Sequence, residues 1–435
     1  MFDRSAFSFT NILSITIVLS ANSNDRQTIS SFAFSGCHNL ETVTIRMSSF
    51  SIGGSAFNDC FNLKNIIFPE NYYISYIGSY AFENCPLESF NFKSVNSLEK
   101  GAFRNTNLRE VELNLGSLRD DVFEYCSNLI NVKIENELSI MESKGIFKNC
   151  HSLETVDLGP LSWTCREMFS NCYNLIEVKS SISYVGIHDE TFYSCINLKI
   201  LKLNPSNIGN KAFMFCNSLA YINLTETVLI KSRAFYGCQN LASVSPQVFG
   251  DEYAFAFCNS IISCNVQTFA KTGLMMNCSK LESVVIHNIQ YIPDKMFYGC
   301  SSLKNIEFPD IIKFIGHYAF MGTSIEVPFL DLSETNQIGN YSFKGTKIER
   351  IKIGKDFVYS GFQCDFYYRD RCWGNEDTDE NPFKDVTTIT EIILGSGKQK
   401  FRGKDFQDSN NANITLGQYS YFRIENGMMI QDNEI

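Results

Sequence analysis

Sixteen cysteines and five histidines hold most of the reactive side-chain chemistry in this 435-residue chain. Twelve of the cysteines stand at one recurring place: Cys37, Cys60, Cys85, Cys126, Cys150, Cys172, Cys195, Cys216, Cys238, Cys258, Cys278 and Cys300. A thiol can serve as a nucleophile, a zinc ligand or half of a disulfide, and each use has its own geometry. A thiol hydrolase needs a histidine beside the cysteine and a third group to orient that histidine. His38 and His151 directly follow Cys37 and Cys150, but successive residues there point apart; His188, His287 and His317 have no such neighbour. Zinc sites use ligands in short C-x₂₋₄-C pairs, and the spacing here matches no such pair. A column of identical thiols pointing one way specifies no unique disulfide pairing, although stacked columns come close enough for one. The favoured reading is a ladder of buried thiols, each acting as a small apolar group with a weak S–H donor. Cys165, Cys264, Cys364 and Cys372 lie off the column, and Cys364 and Cys372 share one segment in which they could pair if the chain is exported.

The elements that position this column repeat with it. AFSGCHNLETVTI at 33–45, AFNDCFNLKNIIF at 56–68, IFKNCHSLETVDL at 146–158 and MFYGCSSLKNIEF at 296–308 share one plan. Counted from the Phe, Cys falls at +3, Leu at +6, Val or Ile at +9 and an apolar residue at +11. Eighteen copies occur, seventeen anchored by Phe and one by Met275, and from Phe7 to Phe343 they recur about every 22 residues, inside the leucine-rich-repeat range. A shorter variant usually puts Thr in place of Cys, as in AFRNTNLREVEL at 102–113.

Within a copy, alternation marks a strand: Val43 and Ile45 point inward, Thr42 and Thr44 outward. Pro, Gly, Asn and Ser then turn the chain. An Ile-Gly-x-x-Ala-Phe phrase (Ile52 to Phe57, Ile77 to Phe82) returns it, with a short helical turn expected at Ala-Phe. One coil cannot bury its Phe alone; stacked coils bury a continuous column, in which Phe34, Phe57 and Phe82 alternate with Cys37, Cys60 and Cys85 as structural residues. The expected fold is an α/β repeat solenoid, with short parallel strands on its concave face and short helical turns on the return wall.

The full phrase Ile-Gly-x-x-Ala-Phe-x-x-Cys-x-x-Leu-x-x-Val-x-Leu resembles the BspA-like leucine-rich repeat. The resemblance covers about residues 6–353 and then roughly 383–416. It implies a binding or adhesive scaffold, many of whose relatives lie at the surface of bacteria or parasitic protists, with no catalytic residues to transfer.

Four segments follow: a repeat array at 1–353, an insertion at 354–382, divergent repeats at 383–416 and a cap or tail at 417–435. Ile12 to Ala21 has the length of a signal-peptide core, but Phe7, Thr10, Ile12, Ile15 and Ile17 fill the slots of the short repeat, which is the favoured reading. The insertion is aromatic, with Phe366, Tyr367 and Trp373, and then acidic from Glu376 to Glu380. Insertions in solenoids often sit on the binding face; a loop packed on the coil end is the plainer reading. The acidic run lacks the spacing of a calcium loop.

The middle strand position reads as mixed polar residues from Thr16 to Ile393, with an apolar group at Val285, Val327 and Phe329 as the candidate partner contact; scattered surface apolars are the alternative. A net charge of −10 and the absence of a basic stripe disfavour nucleic acid, and no apolar run is long enough for a membrane helix. N-glycosylation triplets at Asn223, Asn277, Asn340 and Asn413 matter only on a secretory path. The expectation is therefore a scaffold without enzymatic activity, cofactor or metal, recognising a protein or a surface glycan; the alternative is an intracellular protein–protein scaffold. The resemblance points to the cell surface. The many thiols and lack of a clear export signal point to the cytoplasm.

Overall fold

A computed structural model describes residues 5–18, 27–140, 142–245, 248–354, 381–395 and 412–416, with shorter stretches between 358 and 431. Its contacts divide into two compact units, one of residues 1–219 with 226–229, the other of 220–225 with 230–435.

In the first unit, β-branched residues at the +9 and +11 places form parallel ladders. Ser14–Ile17, Thr42–Ile45 and Asn65–Ile67 pair so that Thr16, Thr44 and Ile67 share one row. Glu110–Leu113, Asn131–Ile134, Thr155–Asp157, Glu177–Ile187 and Ile200–Ile208 continue the same device, with Glu112, Lys133, Asp157, Lys179 and Lys202 in register. A second parallel ladder runs along the return leg through Gln27–Ile29, Ser49–Ile52, Tyr73–Ile77, Ser97–Leu98 and Ser117–Leu118. The Ile-Gly phrase closes Ser49–Ile52 and Tyr73–Ile77. Coils approach closely there: a Cβ on Gly78 would lie 2.6 Å from the Gly54 amide nitrogen.

The second unit repeats the plan. Val248–Gly250, Ser263–Ala270, Ser283–Ile286 and Asn305–Glu307 form one ladder; Leu330–Leu332, Arg350–Ile353, Glu391–Leu394 and Asn413–Leu416 form another. Tyr291–Ile292, Phe314–Ile315, Gln337–Ile338 and Val358–Tyr359 form the return ladder. The coil of Phe383 stacks directly on that of Phe343, their rings 5.8 Å apart.

The return wall is not helical. Among the described residues there is no α-helix, and Phe92–Ser94 forms one turn of 3-10 helix. The reason lies in the two left-handed residues that flank the anchor Phe in most coils. Around Phe57 these are Ser55 and Asp59, at φ 52° and 58°; around Phe82 they are Tyr80 and Asn84, at φ 58° and 61°. Each reversal turns alternate amides out of the coil. The amides of Ser55, Phe57 and Asp59 donate to Ser79, Ala81 and Glu83 of the next coil, while those of Ala56, Asn58 and Cys60 fold back on Gly53, Ser55 and Phe57. An α-helix would send every amide to its own fourth neighbour. Here half of them bind coil to coil, so the turn wall works as a further ladder.

Inside, the Phe column is continuous through the first unit, and in the second Met275 takes the place between Phe255 and Phe297. In the first, rings from Phe7 to Phe57 stack at 5.2–5.4 Å, as Phe123 does on Phe147 at 5.2 Å. Phe34, Phe57 and Phe82 are wholly buried, as are Cys37, Cys60 and Cys85.

Candidate binding site

The thiol column has a specific bonding role. Along the column, Sγ atoms donate to the carbonyl oxygen of the preceding coil's Phe, as Cys37 to Phe7 at 3.0 Å, Cys60 to Phe34 at 3.1 Å and Cys85 to Phe57 at 3.0 Å, and Cys300 donates to Met275 in the same way. Burial pushes the Cys85 thiol well up, Cys126 to about 11 and the off-column Cys165 to about 12, so the nucleophilic thiolate is disfavoured there. His38 lies outside the column, stacked on Phe61 at 4.9 Å, and His151 lies on Tyr173 at 5.0 Å. Neither faces the thiol that precedes it in sequence. Among the described residues no three His, Cys, Asp or Glu side chains are placed to hold a metal, and no helix is long and apolar enough to cross a membrane.

The outward strand row of the first unit is largely self-neutralised. Lys179 pairs with Asp157 at 3.2 Å, Lys202 with Glu177 at 2.7 Å and Lys133 with Glu135 at 2.8 Å. A shallow cleft of about 420 Å³ lies over Glu110 to Lys179. Asn91, expected in this row, instead caps the 3-10 turn by accepting from the Lys93 amide at 3.1 Å.

The apolar candidates do not form one patch. Val285 is half-buried between Asn265 and Glu307 in its ladder and lines a cleft of about 480 Å³ with Glu307, Pro309 and Ile311. Val327 is only 6% exposed, paired with Ile348, and borders a different groove. Phe329 is 40% exposed, but it precedes its strand: Asp331, not Phe329, stands in register with Lys352 and Ile393. The coil after Phe320 carries extra residues before its strand, which shifts the count. Phe329 instead lies under the Arg350 guanidinium, 5.2 Å from its ring centre. Phe366 and Tyr367 lie outside the described residues. Trp373 sits opposite Gln363 in a short antiparallel ladder that also sets the backbones of Cys364 and Cys372 opposite each other; these side chains lie outside the described residues.

The groove beside Val327 is the largest of these concavities, about 780 Å³, and lies wholly within the second unit. Glu326, Val327, Pro328, Lys347, Glu349, Thr387 to Thr390 and Asp408 line it. Lys347 binds Glu326 at 2.7 Å and holds that carboxyl below its ordinary range. Thr388 and Thr390 donate their hydroxyls to the carbonyls of Ile348 and Glu349, at 2.8 and 3.1 Å. The groove offers hydroxyls, carboxylates, an ammonium and a prolyl face. Those groups suit a polar chain held by hydrogen bonds. No local motif announced it, because its two sides come from coils about 40 residues apart in sequence.

Six overlapping matches to the BspA type leucine rich repeat region cover residues 2–109, 27–154, 116–242, 162–273, 206–326 and 268–368. Among curated proteins no relative matches. Among solved structures, a leucine-rich repeat protein from Bacteroides ovatus is similar at 21% identity with a TM-score of 0.51, over 93% of this chain and 92% of that one. A leucine rich cell surface protein from Faecalibacterium prausnitzii is 21% identical with a TM-score of 0.38, over 70% of this chain and 89% of that one. At such identities the first likeness speaks to the fold.

Proposed function

The chain belongs to the BspA-type leucine-rich repeat family, and from that premise we propose that it is a non-catalytic recognition scaffold. Leucine-rich repeat proteins are a common protein-binding scaffold. The scaffold engages a protein or a surface ligand through the open strand face and the groove between Glu326 and Asp408. The groove carries this reading: it is larger than the two clefts over the strand rows, its lining mixes polar and apolar groups, and Thr387 and Thr390 are exposed in it. Affinity comes from a few anchors in such a site rather than from the whole face.

The test is partner capture from native cells and their surfaces, with affinities measured on purified components. Thr387→Arg and Thr390→Arg fill the groove without touching the Phe column. Both are expected to abolish capture and leave the melting temperature within about 1–2 °C of the parent, as surface changes usually do. Unchanged affinity in both would remove the groove from the reading. Turnover of a ligand by the purified chain would remove the non-catalytic part.

A further inference from the structure

One residue stands three places before each anchor Phe. Among the described residues, four of these side chains accept a backbone amide of the coil that follows. Asp120 takes the Lys144 amide at 3.1 Å, Asp189 the Asn210 amide at 2.7 Å and Asp294 the His317 amide at 2.7 Å. The fourth acceptor is an imidazole: His317 Nδ1 takes the Asn340 amide at 3.0 Å. A carboxyl group keeps an acceptor oxygen in either protonation state. An imidazole does not. To accept at Nδ1 the ring must carry its one proton on Nε2, so the second proton goes to Nδ1 itself. Protonated His317 and the Asn340 amide are then two donors facing each other. His38 has the opposite arrangement. Its Nδ1 lies 3.1 Å from the Asp59 carbonyl oxygen, a bond in which the ring nitrogen donates and which survives protonation.

The joint that His317 serves lacks the thiol tie. The coil of Phe343 carries Thr346 in place of Cys, and its hydroxyl donates to the Phe343 carbonyl of its own coil at 2.8 Å. The same coil buries the Ser342 hydroxyl with no partner. Backbone bonds cross the joint beside the ring: Gly339 to Ile315 at 2.7 Å, Tyr318 to Asn340 at 2.8 Å and Phe320 to Ser342 at 2.7 Å. The ring is half-buried and 6.4 Å from that of Tyr318. The charged groups of the neighbouring coils are engaged elsewhere. Asp294 holds the His317 amide, and Lys313 pairs with Glu334 at 2.8 Å. Lys295 lies over Tyr318 at 5.9 Å, and Lys344 and Lys384 lie over Tyr341 at 5.2 and 5.8 Å.

We propose that His317 is a proton-operated tie. Imidazoles take up their second proton between about pH 8 and 5; here that proton breaks the bond to Asn340 and loosens the joint between the coils of Phe320 and Phe343. The bond needs the neutral ring, so the opened joint binds more protons than the closed one and the joint firms as pH rises. Glu326 and Lys347 lie on these two coils and both line the groove, so acid slackens the groove as well; this consequence alone rests on the recognition reading above.

The experiment is amide hydrogen exchange of the full chain by NMR at pH 7.5 and 5.5, corrected for the intrinsic exchange rate. Asn340 protection is expected to fall about tenfold on acidification, the upper range of one hydrogen bond's net worth, with Gly339 and Tyr318 following. The Asn210 amide, held by Asp189, is expected to keep its protection. His317→Asp puts the acceptor of Asp294 at this place and is expected to protect Asn340 equally at both pH values; His317→Ala is expected to lose that protection at both. The unaltered protein gives a second readout: the ¹⁵N shift of His317 Nδ1 is expected to be that of an unprotonated acceptor at pH 7.5. Equal Asn340 protection at the two pH values, the same pH dependence in His317→Asp, or a proton on Nδ1 at pH 7.5 overturns the proposal. No ligand enters these measurements, so their failure is separate from a failure of the groove to bind a partner.

Discussion

The thiol of Cys150 donates to the carbonyl oxygen of Phe123, 3.1 Å away and one full coil behind it. That carbonyl already accepts the backbone amide of Cys126 from its own coil. The thiol therefore ties a second lone pair across the interface between coils. Thr106, in a short coil, works differently: its hydroxyl donates to Phe103 in the same coil at 3.0 Å. Cys126 then reaches back both to Phe103 and to the Thr106 hydroxyl, each at 3.2 Å. Threonine serves its own coil and cysteine serves the joint.

Cys150→Ala removes the thiol donor and leaves a void in a packed column. The expected cost is about 1–2 kcal/mol, read from urea unfolding. Cys150→Thr is expected to lose less, because a hydroxyl can bind the Phe147 carbonyl as Thr106 binds Phe103. A larger loss for Thr than for Ala would contradict that role.

Burial raises the thiols of Cys126, Cys150 and Cys172, and the direction fixes a pH dependence. In the unfolded chain a thiol loses its proton above about 8.5, whereas folded Cys126 keeps it until about 11. Between those values the unfolded state binds fewer protons, so stability falls as pH rises. The contribution is complete below the unfolded value and is lost progressively through the window. The urea midpoint is expected to drop steadily from pH 8 to 10.5 or so, and the column thiols to resist iodoacetamide until urea is added. A flat midpoint over that range would count against the thiol column as the titrating element.

Gly273 has φ +64°, and a Cβ there would stand 2.4 Å from the Tyr253 ring of the preceding coil. Gly273→Ala is expected to cost about 2 kcal/mol or more, combining left-handed strain with the clash. Adding Tyr253→Asn should recover the steric part and leave the backbone part. A double-mutant cycle by thermal melting separates the two; strict additivity would show that the ring does not press on the glycine.

Arg104 bridges Glu83 and Glu124 at 2.8 and 2.9 Å with its side chain 35% exposed. Solvent screens such a pair, so Arg104→Met is expected to cost only about 1 kcal/mol at low ionic strength. The difference should shrink in 1 M NaCl, where the Debye length is about 3 Å. A salt-independent loss would assign the effect to packing of the arginine stem instead.

The sequence by itself determined the repeat, its family and its core. Phe, Cys, Leu and Val recur at fixed offsets because every coil fills the same interior, and one-dimensional periodicity records that demand directly. Phe34, Cys37 and Val43 were legible for this reason, as was the alternation of Thr42 and Thr44 with Val43 and Ile45. The tertiary structure alone decided what happens where coils meet. The Ala-Phe turn reads as helical because nothing in Ser55 or Asp59 announces a positive φ; neighbouring coils impose it by offering carbonyls to alternate amides. Counting puts Phe329 in the strand row, yet register is set by pairing with Ile351 and Lys352, which puts Asp331 in that row. The groove beside Val327 and the cation–tyrosine contacts of the turn wall join residues from different coils. Such neighbours are set by stacking, and no offset within a single repeat encodes them.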